Sequence, residues 1–372
     1  MKLLVDARTG WGHGIGRVIA NTVPQIARLR PDWRIEALVP PDKAEAAGAA
    51  FAGVPNLSPL PCPIAPFSLG EQARLQAYAR DADLTWFTNY WVPLAWRGPF
   101  VATVHDMLHL LPHYLPASPL KRALSRRTFA KVRQDARAVM FVSRFTQAEF
   151  HRLIGAPRQG VVVPNGADHL DYGFGENGHR PLAARTRRLI VVAASKQHKN
   201  FALLFDAWRR ARAPGHWTLT VVSAQEEIIS SIDLTALAGQ DGPDGTARIE
   251  IRRGISNAEL AALYADSAIL LMPSLYEGFG LPLIEGMLAG ALCVSSSAGS
   301  LVEVAQGGFV QFVNGTDREG WVAAIEQSCA MVDRGEPDLD PLLRHNIACA
   351  GRFRWERTAR DVTTVLESAA AA

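Results

Sequence analysis

At 372 residues the chain is too long for one ordinary hydrophobic core and long enough for two domains. Hydrophobic residues make up 48% and charged residues 20% of the chain, which is the balance of a soluble globular protein. The formal net charge of +3 is small for this length. The composition therefore does not indicate a nucleic-acid-binding protein, and any basic surface is expected to be local.

The cysteines and the N-terminal residues bear on the compartment. The four cysteines are widely spaced without a C-x-x-C pair, so neither a zinc site nor a disulfide framework is expected. Asp6 and Arg8 interrupt the short apolar run at residues 3–5, which argues against a signal peptide. No stretch of about 18 apolar residues predicts a membrane-spanning helix. We therefore expect a cytoplasmic protein whose membrane contact, if any, is peripheral.

The first half of the chain alternates short apolar runs with longer amphipathic segments, which predicts an α/β fold with a largely parallel sheet. Residues 2–5 form the first predicted strand. A glycine-rich turn and a helix over about residues 17–29 follow it. Together the predicted elements fill one doubly wound domain. Its further predicted strands lie at residues 34–39, 84–87, 100–104, 138–142 and 160–163.

Residues 171–187 separate the two halves and, being rich in glycine and poor in apolar residues, are predicted to be a linker. After them the alternation restarts, which predicts a second α/β domain. Because ligands of such sheets bind beyond the carboxyl ends of the strands, two facing domains imply a cleft between them. The predicted elements are strands at residues 188–193, 218–223, 249–251, 268–272 and 292–295, and helices at 201–211, 258–264 and from about 282.

A buried strand of the second half runs into a glycine-containing turn and then into an apolar helix. Gly278 and Gly280 let backbone N–H groups approach a ligand without interference from a Cβ atom, and Pro282 suits the first turn of a helix. The N–H groups and dipole of that terminus favour an anion such as a diphosphate. Glu277 on the loop and Glu285 inside the helix can both line one ligand. The alternative is two surface glutamates beside an ordinary strand–helix turn.

Residues 253–304 resemble family 4 of the retaining glycosyltransferases, which have the GT-B fold. The resemblance is carried by segments 256–264, 273–282 and 300–304 together with Glu285. In that family the first Glu of an E-x7-E pair contacts the transferred sugar, and the second holds the ribose hydroxyls of the nucleotide. The backbone amides between them bind the diphosphate.

The resemblance implies a GT-B architecture of two Rossmann-like domains that face each other across a cleft. Residues 1–175 would be the acceptor-binding domain, residues 176–352 the nucleotide-sugar-binding domain, and residues 353–372 a helix that crosses back to the first. In the donor site, Glu277 would address the sugar and Glu285 the ribose. The amides implied to bind the diphosphate are those of Gly278, Phe279, Gly280 and Leu281.

Breaking a glycosyl–phosphate bond builds negative charge on the diphosphate, so fixed cations near it lower the barrier. Residues 194–200 resemble the family segment that ends in Lys-Asn, which assigns Lys199 to the phosphates. The alternative is a solvated lysine in a strand–helix loop. Many relatives carry an Arg where this chain has Ala193, and Lys196 and His198 are the candidates to replace it.

The glycine-rich turn at residues 9–17 is weak evidence alone, since it could equally serve a dinucleotide. Gly14, Gly16 and Arg17 resemble the family's first loop, which reaches across the cleft toward the donor phosphate and the acceptor. Arg17 is therefore expected to add positive charge near the diphosphate. Residues 10–13 lengthen this loop, and no role is assigned to them.

Polar residues at strand ends of the first domain are the acceptor-side candidates. His105 and Asp106 directly follow a predicted strand. The resemblance implies that His105 binds the donor sugar beside the attacking hydroxyl, and that Asp106 orients His105 or the acceptor. The alternative for His105 is a hydrogen-bonded structural residue. Weaker candidates at the ends of other strands are Asn89, Tyr90 and Arg144.

The resemblance implies front-face transfer with retention. The acceptor hydroxyl attacks the anomeric carbon from the side on which the diphosphate leaves, and the departing phosphate oxygen takes the proton. Lys199, Arg17 and the helix N-terminus would stabilise its charge. No carboxylate pair of the glycosidase type is evident. The D-x-D sequences at residues 81–83 and 338–340 lie far from the donor motif, so we expect no essential metal and no cofactor besides the nucleotide-diphosphate sugar as co-substrate.

Residues 119–137 contain seven Lys or Arg against one acid, Asp135. At helical spacing four of the arginines fall in a sector about 60° wide. Such a face is predicted to attract the anionic inner face of a membrane. The alternative is a solvated helix face. The four arginines are Arg122, Arg126, Arg133 and Arg137.

The sequence thus predicts a retaining transferase that moves a hexose of the mannose, rhamnose or glucose type from a nucleotide-diphosphate sugar to a glycan or lipid-linked acceptor, in bacterial O-antigen, capsule or exopolysaccharide synthesis. One alternative is a catalytically impaired carbohydrate- or nucleotide-binding relative, since Ala193 replaces the family Arg. Another is a dinucleotide-dependent oxidoreductase. The glycines do not follow its G-x-G-x-x-G spacing, however, and nothing in that class explains Glu277 and Glu285.

Overall fold

The computed structural model describes residues 1–11, 14–174, 179–192, 196–211, 216–223 and 248–372. The chain packs as two compact units. The first unit comprises Met1–Gly166 and Phe353–Ala372, and the second comprises Ala167–Arg352. The sequence predicts a division after residue 175, whereas residues 167–174 pack with the second unit.

The described strands of the first unit form one parallel sheet in the order β3-β2-β1-β4-β5-β6-β7. The strand order reverses between β1 and β4, where Leu4 pairs with Glu36 of β2 on one side and with Thr85 of β4 on the other. The strands are β1 Lys2–Asp6, β2 Arg34–Val39, β3 Leu57–Pro61, β4 Leu84–Phe87, β5 Phe100–Val104, β6 Ala138–Phe141 and β7 Gly160–Val162.

Helices connect these strands and cover both faces of the sheet. Strand β1 is apolar throughout its centre because both faces are covered. Leu3 and Val5 pack with Ile19 of the first helix, whereas Leu4 packs on the opposite face with Phe129. The helices of this part of the chain are α1 Gly14–Leu29, α2 Ala44–Ala50, α3 Leu69–Arg74, α4 Pro119–Asp135 and α5 Arg144–Leu153, with short 3-10 turns at Pro41–Lys43, Leu75–Ala79 and Leu108–Leu110.

The described strands of the second unit form a parallel sheet in the order β10-β9-β8-β11-β12-β13, so the order reverses between β8 and β11. The strands are β8 Thr186–Val192, β9 Thr218–Ser223, β10 Arg248–Arg253, β11 Ser267–Met272, β12 Leu292–Ser296 and β13 Val310–Val313. The helices are α6 Phe201–Arg210, α7 Asn257–Asp266, α8 Leu281–Leu288, α9 Leu301–Val304, α10 Arg318–Arg334 and α11 Leu339–Ala350, with 3-10 turns at Leu182–Ala184 and Gln197–Lys199.

The last helix, α12 (Trp355–Ala371), returns to the first unit, as predicted. Its Val362 and Leu366 are buried in the core cluster that also holds Leu3 and Ile19. The Arg137 guanidinium donates to the carbonyl oxygen of Ala369 at 2.7 Å, which satisfies a C-terminal carbonyl of this helix. None of the described helices is long and apolar enough to cross a membrane.

Two predicted elements begin elsewhere in the structure, and one strand was not predicted. The strand without a prediction is β3, which contains two prolines and lies at the sheet edge, where proline is tolerated. Helix α1 begins at Gly14 rather than at Arg17. Strand β8 begins at Thr186, inside the predicted linker. Of the residues named in the predictions, Gly12, His13, Ala193 and linker residues 175–178 lie outside the described residues.

Candidate active site

The donor-site residues of the second unit follow two neighbouring strands. Lys199 lies in the connection after β8, and Glu277 in the connection after β11. The strand order reverses between these two strands. A crevice opens at such a reversal because the connections leave the sheet toward opposite faces, and ligands of α/β sheets bind there. The topology therefore brings two residues that are 78 positions apart to one ligand-binding edge.

Lys199 and Glu277 form an ion pair in which Nζ donates to Oε1 at 2.7 Å. The two side chains are only 16% and 9% exposed. Burial alone would raise the pKa of Glu277, but the charge of Lys199 and hydrogen bonds from Lys199 and Ser274 outweigh it and hold the pKa below its usual value. The pair thus places an ionised carboxylate and a cation together in a water-poor environment.

The backbone of Glu277 is held by residues that the sequence analysis did not assign to the site. The N–H and the hydroxyl of Ser300 donate to the carbonyl oxygen of Glu277 at 3.1 and 3.2 Å. Gly299 has φ of +63°, and a Cβ atom there would lie 2.3 Å from the same oxygen. Segment 300–304 was part of the family resemblance, but its contact with Glu277 depends on the fold.

The loop that carries Lys199 is fastened to the loop that carries Glu277. The side-chain amide of Asn200, which has a left-handed backbone, donates to the carbonyl oxygens of Pro273 and Gly315 at 3.1 and 2.7 Å. The N–H of Leu275 donates to the carbonyl oxygen of His198 at 2.7 Å. These bonds fix the distance between the two loops and therefore the Lys199–Glu277 pair.

The glycine segment ends at helix α8, as predicted. Gly280 is the N-cap residue with φ of +92°, and a Cβ atom there would lie 2.5 Å from Leu301 Cδ2, so glycine is required at this position. Leu281 begins the helix, while Gly278 and Phe279 lie buried just before it. The N–H groups of a helical first turn lack intrahelical acceptors, which suits this end of α8 to an anion.

Glu285 is fully buried within α8. The Tyr264 hydroxyl donates to Oε2 of Glu285 at 2.8 Å, and His169 Nε2 lies 3.3 Å from Oε1. The Tyr172 hydroxyl donates to the carbonyl oxygen of the same residue at 3.0 Å. Its predicted role toward a ribose stays a prediction. The surrounding His169, Tyr172 and Tyr264 were not predicted, because only the fold brings them to Glu285.

In the first unit, Gly14, Gly16 and Arg17 belong to the first turn of α1 rather than to a flexible loop. The N–H of Gly16 donates to the carbonyl oxygen of Gly10 at 2.9 Å, and a Cβ atom on Gly16 would lie 2.5 Å from that oxygen. The glycine at position 16 therefore serves close packing of the turn against the helix. Arg17 is half-buried at the start of this helix.

His105 follows β5, and its ring is oriented by a backbone group. Nε2 lies 2.8 Å from the carbonyl oxygen of Thr88, which can only accept, so Nε2 carries the hydrogen and Nδ1 is the acceptor of the neutral ring. Burial lowers the pKa of His105, although the bond to Thr88 and the charge of Asp106 act in the opposite direction. Asp106 accepts the N–H of Leu108 at 3.0 Å. The ring thus bonds to the backbone of Thr88, a residue that the sequence did not predict for the site.

The three weaker acceptor-side candidates differ in their placement. Asn89 is half-buried, and its Oδ1 accepts the N–H of Trp91 at 2.7 Å. Tyr90 is buried in the core and stacked on Phe129, with ring centroids 3.9 Å apart, so its ring does not face a ligand. Arg144 is exposed at the start of α5.

The predicted basic segment forms α4, but its arginines do not form a simple solvated face. Arg122, Arg126 and Arg137 each donate to a backbone carbonyl oxygen, at distances between 2.7 and 3.2 Å. Arg133 is half-buried. The predicted stripe is therefore largely engaged within the first unit, because neighbouring segments supply acceptors that helical spacing does not reveal. The basic side chains of α4 that are exposed are Lys121, Arg126 and Arg127.

Two family models match most of the chain. The model described as Glycosyltransferase Family 4 matches residues 12–169, and the model described as Glycosyl transferases group 1 matches residues 186–330. The first match covers β2 to β7 of the sheet that His105 follows, and the second covers β8 to β13 of the sheet that Lys199 and Glu277 follow. Each of the two units thus carries a match of its own.

Curated relatives and solved structures agree with these matches. The chain is 34% identical to an MMP alpha-(1->4)-mannosyltransferase of Mycolicibacterium hassiacum over 40% of its own length and 34% of the relative. It is 25% identical to a GDP-mannose:cellobiosyl-diphosphopolyprenol alpha-mannosyltransferase of Komagataeibacter xylinus over 63% of its own length and 57% of the relative. The chain thus spans only about a third to somewhat over half of these two relatives. The structure of the Anabaena protein HepE in complex with UDP and glucose superposes with a TM-score of 0.73. The superposition covers 99% of this chain and all of that chain, at 17% sequence identity, and shows that the two proteins share the fold.

Proposed function

We propose a specific reaction for this chain, which belongs to glycosyltransferase family 4, has the GT-B fold and is a glycosyltransferase. The proposed reaction transfers a hexose, mannose, from a nucleotide-diphosphate sugar to a hydroxyl of a glycan or lipid-linked acceptor. Both relatives are named as mannosyltransferases, and the name of one specifies GDP-mannose and a diphosphopolyprenol acceptor, which supports this choice. The proposed pathway is bacterial surface polysaccharide synthesis.

The Lys199–Glu277 pair is the observation that carries the proposal. A cation and a carboxylate at 2.7 Å, next to the N-terminus of α8, match the adjoining diphosphate and sugar groups of a nucleotide-diphosphate sugar. The carboxylate can accept hydrogen bonds from sugar hydroxyls, whereas the ammonium group and the helix terminus attract the diphosphate. Without donor, the ammonium group of Lys199 keeps the carboxyl group of Glu277 ionised by lowering its pKa.

The proposed transfer retains the anomeric configuration. The acceptor oxygen forms a bond to the anomeric carbon on the face from which the diphosphate departs, and the bond from that carbon to the phosphate oxygen breaks. The proton of the acceptor hydroxyl passes to the departing phosphate oxygen. Lys199 and the N–H groups at the start of α8 stabilise the charge that develops there, and Arg17 is proposed to add to them. Glu277 holds the sugar during the transfer.

The first unit is proposed to bind the acceptor. The ring of His105 is neutral at pH 7 and fixed by Thr88, so its Nδ1 can accept a hydrogen bond from a sugar hydroxyl. We assign His105 to orientation of the transferred sugar beside the attacking hydroxyl. Asp106 is proposed to orient the acceptor, since its Oδ1 bonds to the N–H of Leu108.

We also propose that the chain works in the cytoplasm and binds the inner face of the membrane peripherally. The support is in α4, whose first turn carries Leu120, 80% exposed, next to exposed Lys121, and whose exposed Arg126 and Arg127 follow about two turns later. Each basic residue near an anionic surface contributes about 1 kcal/mol. Exchange of these three basic residues for Glu is expected to abolish cosedimentation with vesicles of anionic phospholipid, and unchanged cosedimentation would refute this part.

The function is tested by donor binding and transfer with the full chain. Thermal unfolding is followed with GDP-mannose, UDP-glucose, dTDP-rhamnose and the free nucleotides, because a ligand that binds only the folded state raises the melting temperature. GDP-mannose is expected to stabilise the protein and to be consumed with octyl glycosides as acceptors. Absence of both effects with every donor would refute the proposal.

Two variants assign the chemistry. Glu277→Gln and Lys199→Met are each expected to lower kcat by about 100-fold or more, as does loss of one stabilising group in a preorganised site. Lys43 is an exposed lysine of the first unit to which no role in the site is assigned, so Lys43→Met is the matched control and is expected to keep near-normal turnover. Equal losses at Lys43 and Lys199 would show that net charge, rather than the ion pair, matters.

A further inference from the structure

A second polar recess lies in the first unit, where the order of its sheet reverses. It is bordered by the connections after β1 and β4, the two strands at that reversal, and by the connection after β3. This is the position at which α/β sheets bind ligands. The recess has room for about one water-sized sphere, 10 Å³. It is lined chiefly by Asp6, Arg8, Thr9, Thr88, Asn89 and Trp91.

Phe67 lies beside this recess with an unusual conformation and exposure. It follows Pro66, which lines the recess, and its ring centroid is 4.1 Å from that of Trp91. Its φ is +66°, and among the described residues other than glycine only Asn200 also has a positive φ. Asparagine tolerates this region, whereas a bulky aromatic residue is strained there. The ring is nevertheless 55% exposed, so burial does not offset the strain.

A buried charge network holds the backbone of Phe67 and the side chain of Trp91. Glu71 is fully buried, and its Oε2 accepts the N–H of Phe67 and the indole N–H of Trp91, both at 2.9 Å. Arg8 donates to Oε1 of Glu71 at 2.6 Å and to Asp6 at 2.7 Å. One carboxylate therefore holds the backbone of Phe67 and the indole ring of Trp91, and breaking this network would leave a buried charge without its partner.

We propose that Phe67 and the recess form a subsite for one sugar ring of the acceptor, an inference that rests on the proposed function. The apolar C–H face of a pyranose matches an exposed aromatic ring, and one hydroxyl fits the space of the recess. Oxygen atoms of Asp6, Thr9 and Asn89 line that space and can accept its hydrogen bond. An apolar ring with a few convergent polar groups is the usual composition of a small-ligand site.

The subsite is connected to His105 through one residue. The Thr88 hydroxyl donates to the carbonyl oxygen of Asp6 at 2.7 Å, and the Thr88 carbonyl oxygen binds the ring of His105 at 2.8 Å. Thr88 also lines the recess. A sugar held on Phe67 therefore lies at the same sheet edge as His105, which suits it to direct a hydroxyl of the acceptor toward the reacting centre.

A lipid surface is the other ligand class that an exposed aromatic side chain could meet. The observations favour a sugar, because Phe67 borders polar groups at the ligand edge of the sheet and its strained backbone is held by Glu71. Membrane insertion requires neither a recess nor a strained backbone. Leu69 lies two residues later and is 91% exposed, so a lipid surface would contact Leu69 as readily as Phe67.

The test uses the full chain and the probes octyl α-D-mannoside and octyl β-cellobioside. Binding is measured by saturation-transfer NMR for the wild type, Phe67→Gly, Phe67→Tyr and the control Leu69→Ala. Glycine accepts the left-handed backbone, so Phe67→Gly is expected to fold and to bind glycoside about tenfold more weakly. Phe67→Tyr and Leu69→Ala are expected to bind as the wild type does. Equal binding by Phe67→Gly, or no binding by the wild type, would overturn the subsite.

Two further measurements separate this inference from the proposed function. The melting-temperature shift with GDP-mannose is expected to be the same in all variants, because Phe67 is assigned to the acceptor. The wild type could bind glycoside but no nucleotide sugar, while Phe67→Gly binds glycoside more weakly. That result would refute the proposed function and leave the subsite standing. Loss of binding to phospholipid vesicles by Phe67→Gly, with glycoside binding intact, would overturn the subsite in favour of a lipid surface.

Discussion

Replacement of Lys199 by Met removes the cation beside the buried carboxylate of Glu277 and keeps a side chain of similar length. At 2.7 Å, two unit charges attract each other by about 6 kcal/mol at an effective dielectric constant of 20. The loss of stability is smaller than this because Glu277 can take up a proton. Protonating a carboxyl group whose ordinary pKa is 4.5 costs about 3.4 kcal/mol at pH 7 and about 0.7 kcal/mol at pH 5.

The stability difference between the two proteins therefore depends on pH. In the wild type the pKa of Glu277 is lowered, so its contribution is present above the unfolded-state pKa and is lost as the pH falls. In Lys199→Met, burial raises this pKa, so the variant loses stability as the pH rises above about 4.5. We expect the variant to be less stable by about 3 kcal/mol at pH 7 and by under about 1 kcal/mol at pH 5.

Scanning calorimetry between pH 5 and pH 8 measures this difference in the transition of the second unit. For a domain of this size, about 3 kcal/mol corresponds to a shift of roughly 6–12 °C. The control is the double variant Lys199→Met/Glu277→Gln, which carries no buried charge and is expected to recover most of the loss without a pH dependence. A shift of equal size at pH 5 and pH 7, or a double variant as unstable as the single one, would refute the reasoning.

Three other outcomes follow from close contacts and from the proposed chemistry. Gly166→Ala brings a Cβ atom to 2.3 Å from the backbone nitrogen of Trp355. It is expected to lower the free energy of unfolding, measured in urea, by about 1–3 kcal/mol. The control Gly48→Ala has open space around its Cβ atom and is expected to leave this free energy unchanged. Gly299→Ala puts a Cβ atom 2.3 Å from the carbonyl oxygen of Glu277 and is expected to lower kcat at least tenfold while the protein stays folded by circular dichroism; normal kcat would contradict the role of that contact. Transfer is expected to continue unchanged in excess EDTA, and a loss that Mg²⁺ or Mn²⁺ restores would contradict the metal-free mechanism.

The sequence predicts the elements whose signals are local. Apolar runs predict most of the strands, and the turn at Gly280 followed by Pro282 predicts the start of α8 to within a residue. Strand β3 was not predicted. Its prolines are acceptable only at a sheet edge, and which strand lies at the edge depends on the whole sheet. Helix α1 begins three residues before its predicted start, and the N–H of Gly16 in its first turn donates to the carbonyl oxygen of Gly10.

Contacts between distant residues account for what the sequence could not predict in the site. Lys199 and Glu277 could be assigned from their motifs, but their ion pair depends on β8 and β11 being neighbours. Likewise, the bond between Arg8 and Glu71 joins residues 63 positions apart. The predicted basic segment differs for the same reason, since Arg137, two residues beyond the end of α4, donates to a carbonyl oxygen at the end of α12.

The central claim is that the Lys199–Glu277 pair serves transfer of an activated sugar with retention. Proton NMR of a reaction with GDP-mannose and an octyl glycoside tests it most directly, since it reports the consumed donor and the anomeric configuration of the product. The account predicts an α-mannosidic product with release of GDP in the wild type, and at least 100-fold slower formation with Glu277→Gln. A β-configured product, or equal rates with Glu277→Gln, would contradict it.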